Sequence, residues 1–196
     1  MPTSNVIKLL FAEEHLSASQ IGKYLRCPRS HYFRYVERRT PESRASALVF
    51  GSAIHTALGY FYSAHRNHRA EPGLDELTDI FRGAWAEGLD DGPPVLFGDD
   101  EDADKLTDMG VAMLGMFLKK APFYRDVVEV EMPFSIELAD PDTGEVLPRL
   151  VGVLDAVVRE KDGNYAVLEH KTAARRWTDD KLAYDNQLTL YSLAAP

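Results

Sequence analysis

Between residues 127 and 172 the chain reads as three Val-rich runs, VVEVEMPFSIEL, LVGVLDAVVRE and NYAVLEHKT, separated by short polar stretches at 140–144 and 161–164. Apolar runs rich in β-branched residues and bounded by Gly, Asp and Asn are strands, and linkers this short join antiparallel neighbours. An antiparallel meander of three strands is therefore what the rest of the chain must fold around.

The rest is helical in texture. Ser17 or Ser19 is placed to cap a helix carrying Ile21, Tyr24 and Leu25, which Cys27-Pro28 ends; Tyr32, Phe33 and Val36 follow on a further helical turn. A helix from about 47 to 64 shows an apolar stripe of Leu48, Ile54, Leu58 and Phe61. Acidic residues 74–89 and Met-rich 105–120 read as two more helices, the methionines as core filler. The acidic loop DDGPPVLFGDDEDAD lies between them, and helix returns from Thr178 or Asp179 through LAYDNQLTLYSLAA. Helices, then a meander, then a helix make an α+β (or α/β) fold. We divide the chain into a helical part, 1–125, and a sheet-plus-helix part, 126–196, within one structural domain.

Charge sets the first limits on function. The net charge is −9 over 196 residues, which argues against a general nucleic-acid binder. Its distribution argues otherwise: residues 16–70 hold nine Lys/Arg against two Asp/Glu, whereas residues 71–150 hold six against twenty. A basic third can bind an anion although the whole is acidic. There Lys23, Arg26, Arg29, Arg34, Arg38, Arg39 and Arg44 interleave with Tyr24, Tyr32, Phe33 and Tyr35, either as a DNA surface or as core aromatics among solvated arginines. No apolar run approaches a membrane span. MPTSNVIKLLFAEEH, whose one basic residue is Lys8, makes a poor signal peptide, so no membrane partner and a cytoplasmic location are expected.

The stretch VLEHKTA poses the chemical question, since a core strand should not carry Glu169, His170 and Lys171 in a row. Alternation points Glu169 and Lys171 one way and His170 the other. Asp155 sits among valines on the preceding strand, where an unpaired carboxylate is costly to bury. A two-residue turn at 162–163 pairs Asp155 with His170; a three-residue loop, 162–164, pairs it with Lys171 and Val157 with Glu169. The second brings Asp155, Glu169 and Lys171 to one face, and we expect that loop or a bulge. Two carboxylates and a lysine suit Mg²⁺ or Mn²⁺. In isolation, though, the triplet reads first as a surface ion pair between Glu169 and Lys171.

Further motifs stand in order: Gly51 and His55 in GSAIHTALGYFY, Gly152 and Asp155 in VGVLDAVV, EHKT, and Gln187 and Tyr191 in QLTLYSL. With the opening SASQIGKYLRCPRSHYFRYV they resemble the RecB-like nuclease family of the PD-(D/E)XK superfamily, which includes CRISPR-associated and phage exonucleases, over roughly residues 16–193. The resemblance implies a restriction-endonuclease-like core and a metal-dependent DNA nuclease, an exonuclease of recombination, repair or phage DNA processing. It implies His55, Asp155 and Glu169 as metal ligands with the backbone carbonyl of His170, and Lys171 as the catalytic lysine beside Asp155 and Glu169. Gln187 and Tyr191 would line the site and position DNA; Glu131 would supply a further carboxylate. Arg175 and Arg176, with Lys181, are placed for phosphate contact.

Some relatives hold an iron–sulfur cluster on four cysteines. Cys27 matches the first and is the only cysteine, so no iron–sulfur cluster is expected in this chain. Without a GxxxxGK[ST] stretch, any ATP-driven motor is expected to be a separate helicase or recombinase. The expected partner is DNA, as single strands or duplex ends. The alternative is a catalytically silent DNA-binding or assembly module that kept the fold.

Overall fold

The computed structural model describes residues 3–120, 126–173 and 178–194. A short helix, α1 (Thr3–Leu10), and strand β1 (His15–Leu16) lead into α2 (Ala18–Arg26). Ser17 caps α2 by accepting a hydrogen bond from the Gln20 amide, and Pro28 opens α3 (Pro28–His31), which runs into a π-helical turn, Tyr32–Val36. After β2 (Arg44–Ala45) come α4 (Ser46–Arg66) and α5 (Leu74–Asp90), then β3 (Val95–Leu96), which pairs in parallel with β2, and α6 (Ala103–Lys120). The three expected strands are β4 (Val127–Ala139), β5 (Val146–Arg159) and β6 (Tyr165–Leu168), followed by α7 (Asp179–Ala183) and α8 (Asn186–Ser192).

The meander is present: β5 pairs antiparallel with β4 along one edge and with β6 on the other, where β1 adds a short parallel pair. The last helix is broken in two, because Asp185 turns extended and caps α8 through the Leu188 amide.

Two apolar clusters cover the sheet. One joins α4, α5 and α6 to Val127, Ala156 and Val158 and includes fully buried Leu77, Phe81 and Leu114. The other gathers Phe134, Leu150, Leu154 and Val157 under Tyr191 of α8. Two expectations fail here. Leu48 is exposed, and Val49 and Phe50 take its place in the core; in α6, Met113 packs on the core while Met109 and Met116 face solvent.

Cluster membership shows where the pleat changes phase. Val130 packs with the α4 side and Met132 with the α8 side; Ala156 does the former and Leu154 the latter. Residues two apart on a strand should share a face. The break falls at Glu131, which has a φ of 47°, and at Asp155, which the pairs Val130↔Ala156 and Met132↔Leu154 set opposite it. A glutamate in this left-handed conformation is uncommon and marks a held position.

Candidate active site

The β5–β6 hairpin puts the two central carboxylates side by side. Its loop is Lys161-Asp162-Gly163, closed by the Glu160 amide on the Asn164 carbonyl, with Gly163 at a φ of 89°. The loop has the expected three residues but starts one position earlier than 162–164. The register Ala156↔Leu168 then sets Asp155 opposite Glu169, not Lys171. A shift of one residue in the loop moves the register by two, so parity is kept. Gly163 fixes the choice, because it takes the left-handed position that ends such a loop.

Asp155 is held from the α4 side. Its Oδ1 lies 3.1 Å from Nδ1 of His55, and its Oδ2 accepts the backbone N–H of His170 at 2.8 Å. Burial alone would raise the Asp155 pKa, but these hydrogen bonds outweigh it and hold the carboxyl below its ordinary value. The same pairing raises His55 above the usual imidazole value.

Glu169 is held from the α8 side. It pairs with Lys171, whose Nζ also donates to Oε1 of Gln187 at 2.6 Å; Gln187 Nε2 donates to Glu169 Oε1 at 2.8 Å and to the Tyr191 hydroxyl at 2.6 Å. Tyr191 OH anchors the set by donating to the Val153 carbonyl at 3.0 Å. Burial, with Glu169 and Asp155 nearby, pushes its phenol up to about 12. The Glu169 side chain is 7% exposed and its pKa is raised by burial.

The motif glycines have a packing reason. A methyl on Gly51 would stand 2.9 Å from Thr172 Oγ1, so glycine lets α4 come down on the EHKT segment. A methyl on Gly152 would meet the Phe134 ring at 2.6 Å. The GxxxH and GxLD spacings thus seat His55 and Asp155 on closely packed backbone.

A small pocket opens at this junction, lined by His55, Leu58, Gly59, Tyr62, Glu131, Asp155 and His170. Tyr62 went unnoticed in the sequence. It lies seven residues after His55, on the same helical face, and its hydroxyl is 2.9 Å from His170 Nε2. The His170 ring stacks on Tyr62 and meets Phe117 edge-on, and burial lowers its pKa; packing is the role this side chain fills. Arg175 and Arg176 lie outside the described residues, as does the side chain of Lys181.

Among the described residues no three His, Cys, Asp or Glu side chains stand as a ready-made ligand set, because Asp155 turns to His55 and Glu169 to Lys171. The donor chemistry nevertheless fits a hard divalent cation. Glu169 Oε2 is buried with no hydrogen-bond partner among the described residues, and a carboxylate oxygen in that state calls for a positive charge.

The chain matches the PD-(D/E)XK nuclease superfamily over residues 15–196 and belongs to it. No curated protein matches the chain. The mixed α+β fold is that of the superfamily, whose members are generally nucleases using divalent metals on DNA. Among the described residues no helix is long and apolar enough to cross a membrane.

Proposed function

We propose that the protein is a metal-dependent DNA exonuclease of the RecB-like type, acting in the cytoplasm on DNA of recombination, repair or phage processing. One observation carries this reading: α4, the β5–β6 hairpin and α8 bring two hydrogen-bonded groups to neighbouring positions, His55 with Asp155, and Glu169 with Lys171, Gln187 and Tyr191. Asp155, Glu169 and His55 would hold Mg²⁺ or Mn²⁺, with the carbonyl of His170 and with Glu131 as a further carboxylate. A bound divalent cation supplies an acidic water and a polarised phosphoryl oxygen.

The chain's own groups do the positioning. Lys171, held by Glu169 and Gln187, keeps an ammonium beside the carboxylates, where it can orient water or offset charge growing on the phosphate. Gln187 fixes both partners at once, and Tyr191 fixes Gln187. His55 and the His170 amide hold Asp155 ionised, ready to ligate. A separate helicase or recombinase would supply any motor.

Digestion of a linear duplex, a linear single strand and a closed circle, each with Mg²⁺ or Mn²⁺, tests the exonuclease reading. Loss of the linear forms with the circle intact supports it; nicking of the circle at a similar rate contradicts it.

A further inference from the structure

The segment between α2 and the π-helical turn is built unlike the rest of the helical part. Neither α3 nor the π-helical turn has a buried residue, and Tyr24, Leu25, Tyr32 and Val36 are all about half exposed or more. Among the described residues Arg26, Arg29, Arg34 and Arg38 make no ion pair, and residues 23–39 carry six Lys/Arg against one Glu in a chain of net charge −9. The aromatic rings stand upright on one another: Tyr24 edge-on to His31, Tyr32 edge-on to Phe33, with the Arg39 guanidinium 4.4 Å from the Phe33 ring centre. Folding alone gives no reason to leave these rings in water, and their charge suits only an anionic occupant. The position matters as much: α2 packs against α8, the helix that brings Gln187 and Tyr191 to the site.

We propose that α2, α3 and the π-helical turn form a track for single-stranded nucleic acid that leads to the active site, with bases stacking on Tyr24 and Tyr32 and phosphates on the arginines. Rings offered with interleaved guanidiniums suit unpaired bases, since duplex bases present no free face for stacking. The inference rests on reading the site as a DNA nuclease, and it makes the unpaired strand the form that enters.

The test is fluorescence anisotropy of the full chain in EDTA, which prevents cutting, with a labelled oligothymidylate and a labelled duplex over a range of salt. The double variant Tyr24→Ala/Tyr32→Ala should lose about tenfold or more in affinity for the oligothymidylate while holding duplex affinity. The variant Arg26→Gln/Arg34→Gln changes only exposed side chains and leaves the rings in place. It should lower the salt slope for the single strand by roughly one to one and a half. Wild-type affinity for the oligothymidylate in both variants, from a protein that still cuts DNA, overturns the track and leaves the nuclease reading standing; the face would then belong to a protein partner. Failure of the wild type to bind either probe overturns both.

Discussion

His55 Nδ1 lies 3.1 Å from Asp155 Oδ1 although a hundred residues separate them in sequence. This contact joins the helical part to the sheet at the point where the chemistry is proposed. It also ties protonation to stability. The raised His55 pKa gives stabilisation that is complete below the ordinary imidazole value of 6.5 and is lost as pH rises through the folded value. The lowered Asp155 pKa gives stabilisation present above the ordinary 3.8 and lost as pH falls through its folded value. The pair therefore stabilises most at mildly acidic pH. In EDTA, the melting-temperature gap between wild type and His55→Gln should be widest near pH 5–6, between those two values, and should shrink by pH 9. A gap that widens with pH contradicts the pairing.

Lys171 is held by two partners, so its ammonium is fixed rather than floating. Lys171→Ala should cut cleavage by at least about a hundredfold, the usual loss when a group that stabilises developing charge is removed. DNA affinity in EDTA should change little. Single-turnover cleavage alongside anisotropy separates the two, and full activity sinks the assignment.

Gln187 touches Lys171, Glu169 and Tyr191, and the proposed mechanism needs it only to hold them in place. Gln187→Ala should lower kcat about 10- to 100-fold, the range typical of groups that support ligands, with a smaller change in KM. Tyr191→Phe loses the bond to the Val153 carbonyl, worth about 1 kcal/mol of stability, and should show a milder version of the same kinetic defect. An effect confined to KM would place Gln187 on the DNA instead.

Glu131 keeps a left-handed backbone at the rung shared with Asp155. Asparagine tolerates that conformation better than glutamate and carries no charge. Glu131→Asn should thus melt no lower than wild type while binding Mn²⁺ more weakly by calorimetry. A drop in melting temperature with unchanged Mn²⁺ affinity would make Glu131 a structural residue.

Much of this was legible from residue pattern. The Val-rich runs set the three strands, Ser17 and Pro28 set the ends of α2, and hairpin parity put Asp155, Glu169 and Lys171 on one face, although with Asp155 opposite Lys171 instead of Glu169. The loop position was not legible to one residue, since Asp162-Gly163-Asn164 and Lys161-Asp162-Gly163 both end on a residue that tolerates the left-handed conformation. The phase change at Glu131 was invisible as well, because periodicity assumes the regular pleat that this residue breaks. Tyr62 was hidden for a different reason: an aromatic on an apolar helix face reads as core, and it is core on one side and pocket wall on the other.

The most direct measurement is cleavage of end-labelled single- and double-stranded DNA with Mg²⁺, Mn²⁺ or EDTA, run with wild type and Asp155→Ala. Cutting that needs the metal and vanishes in Asp155→Ala is the expected result. Cutting that persists in EDTA or in Asp155→Ala would contradict the site, and DNA binding without cutting under either metal would make the protein a binding module on a nuclease fold.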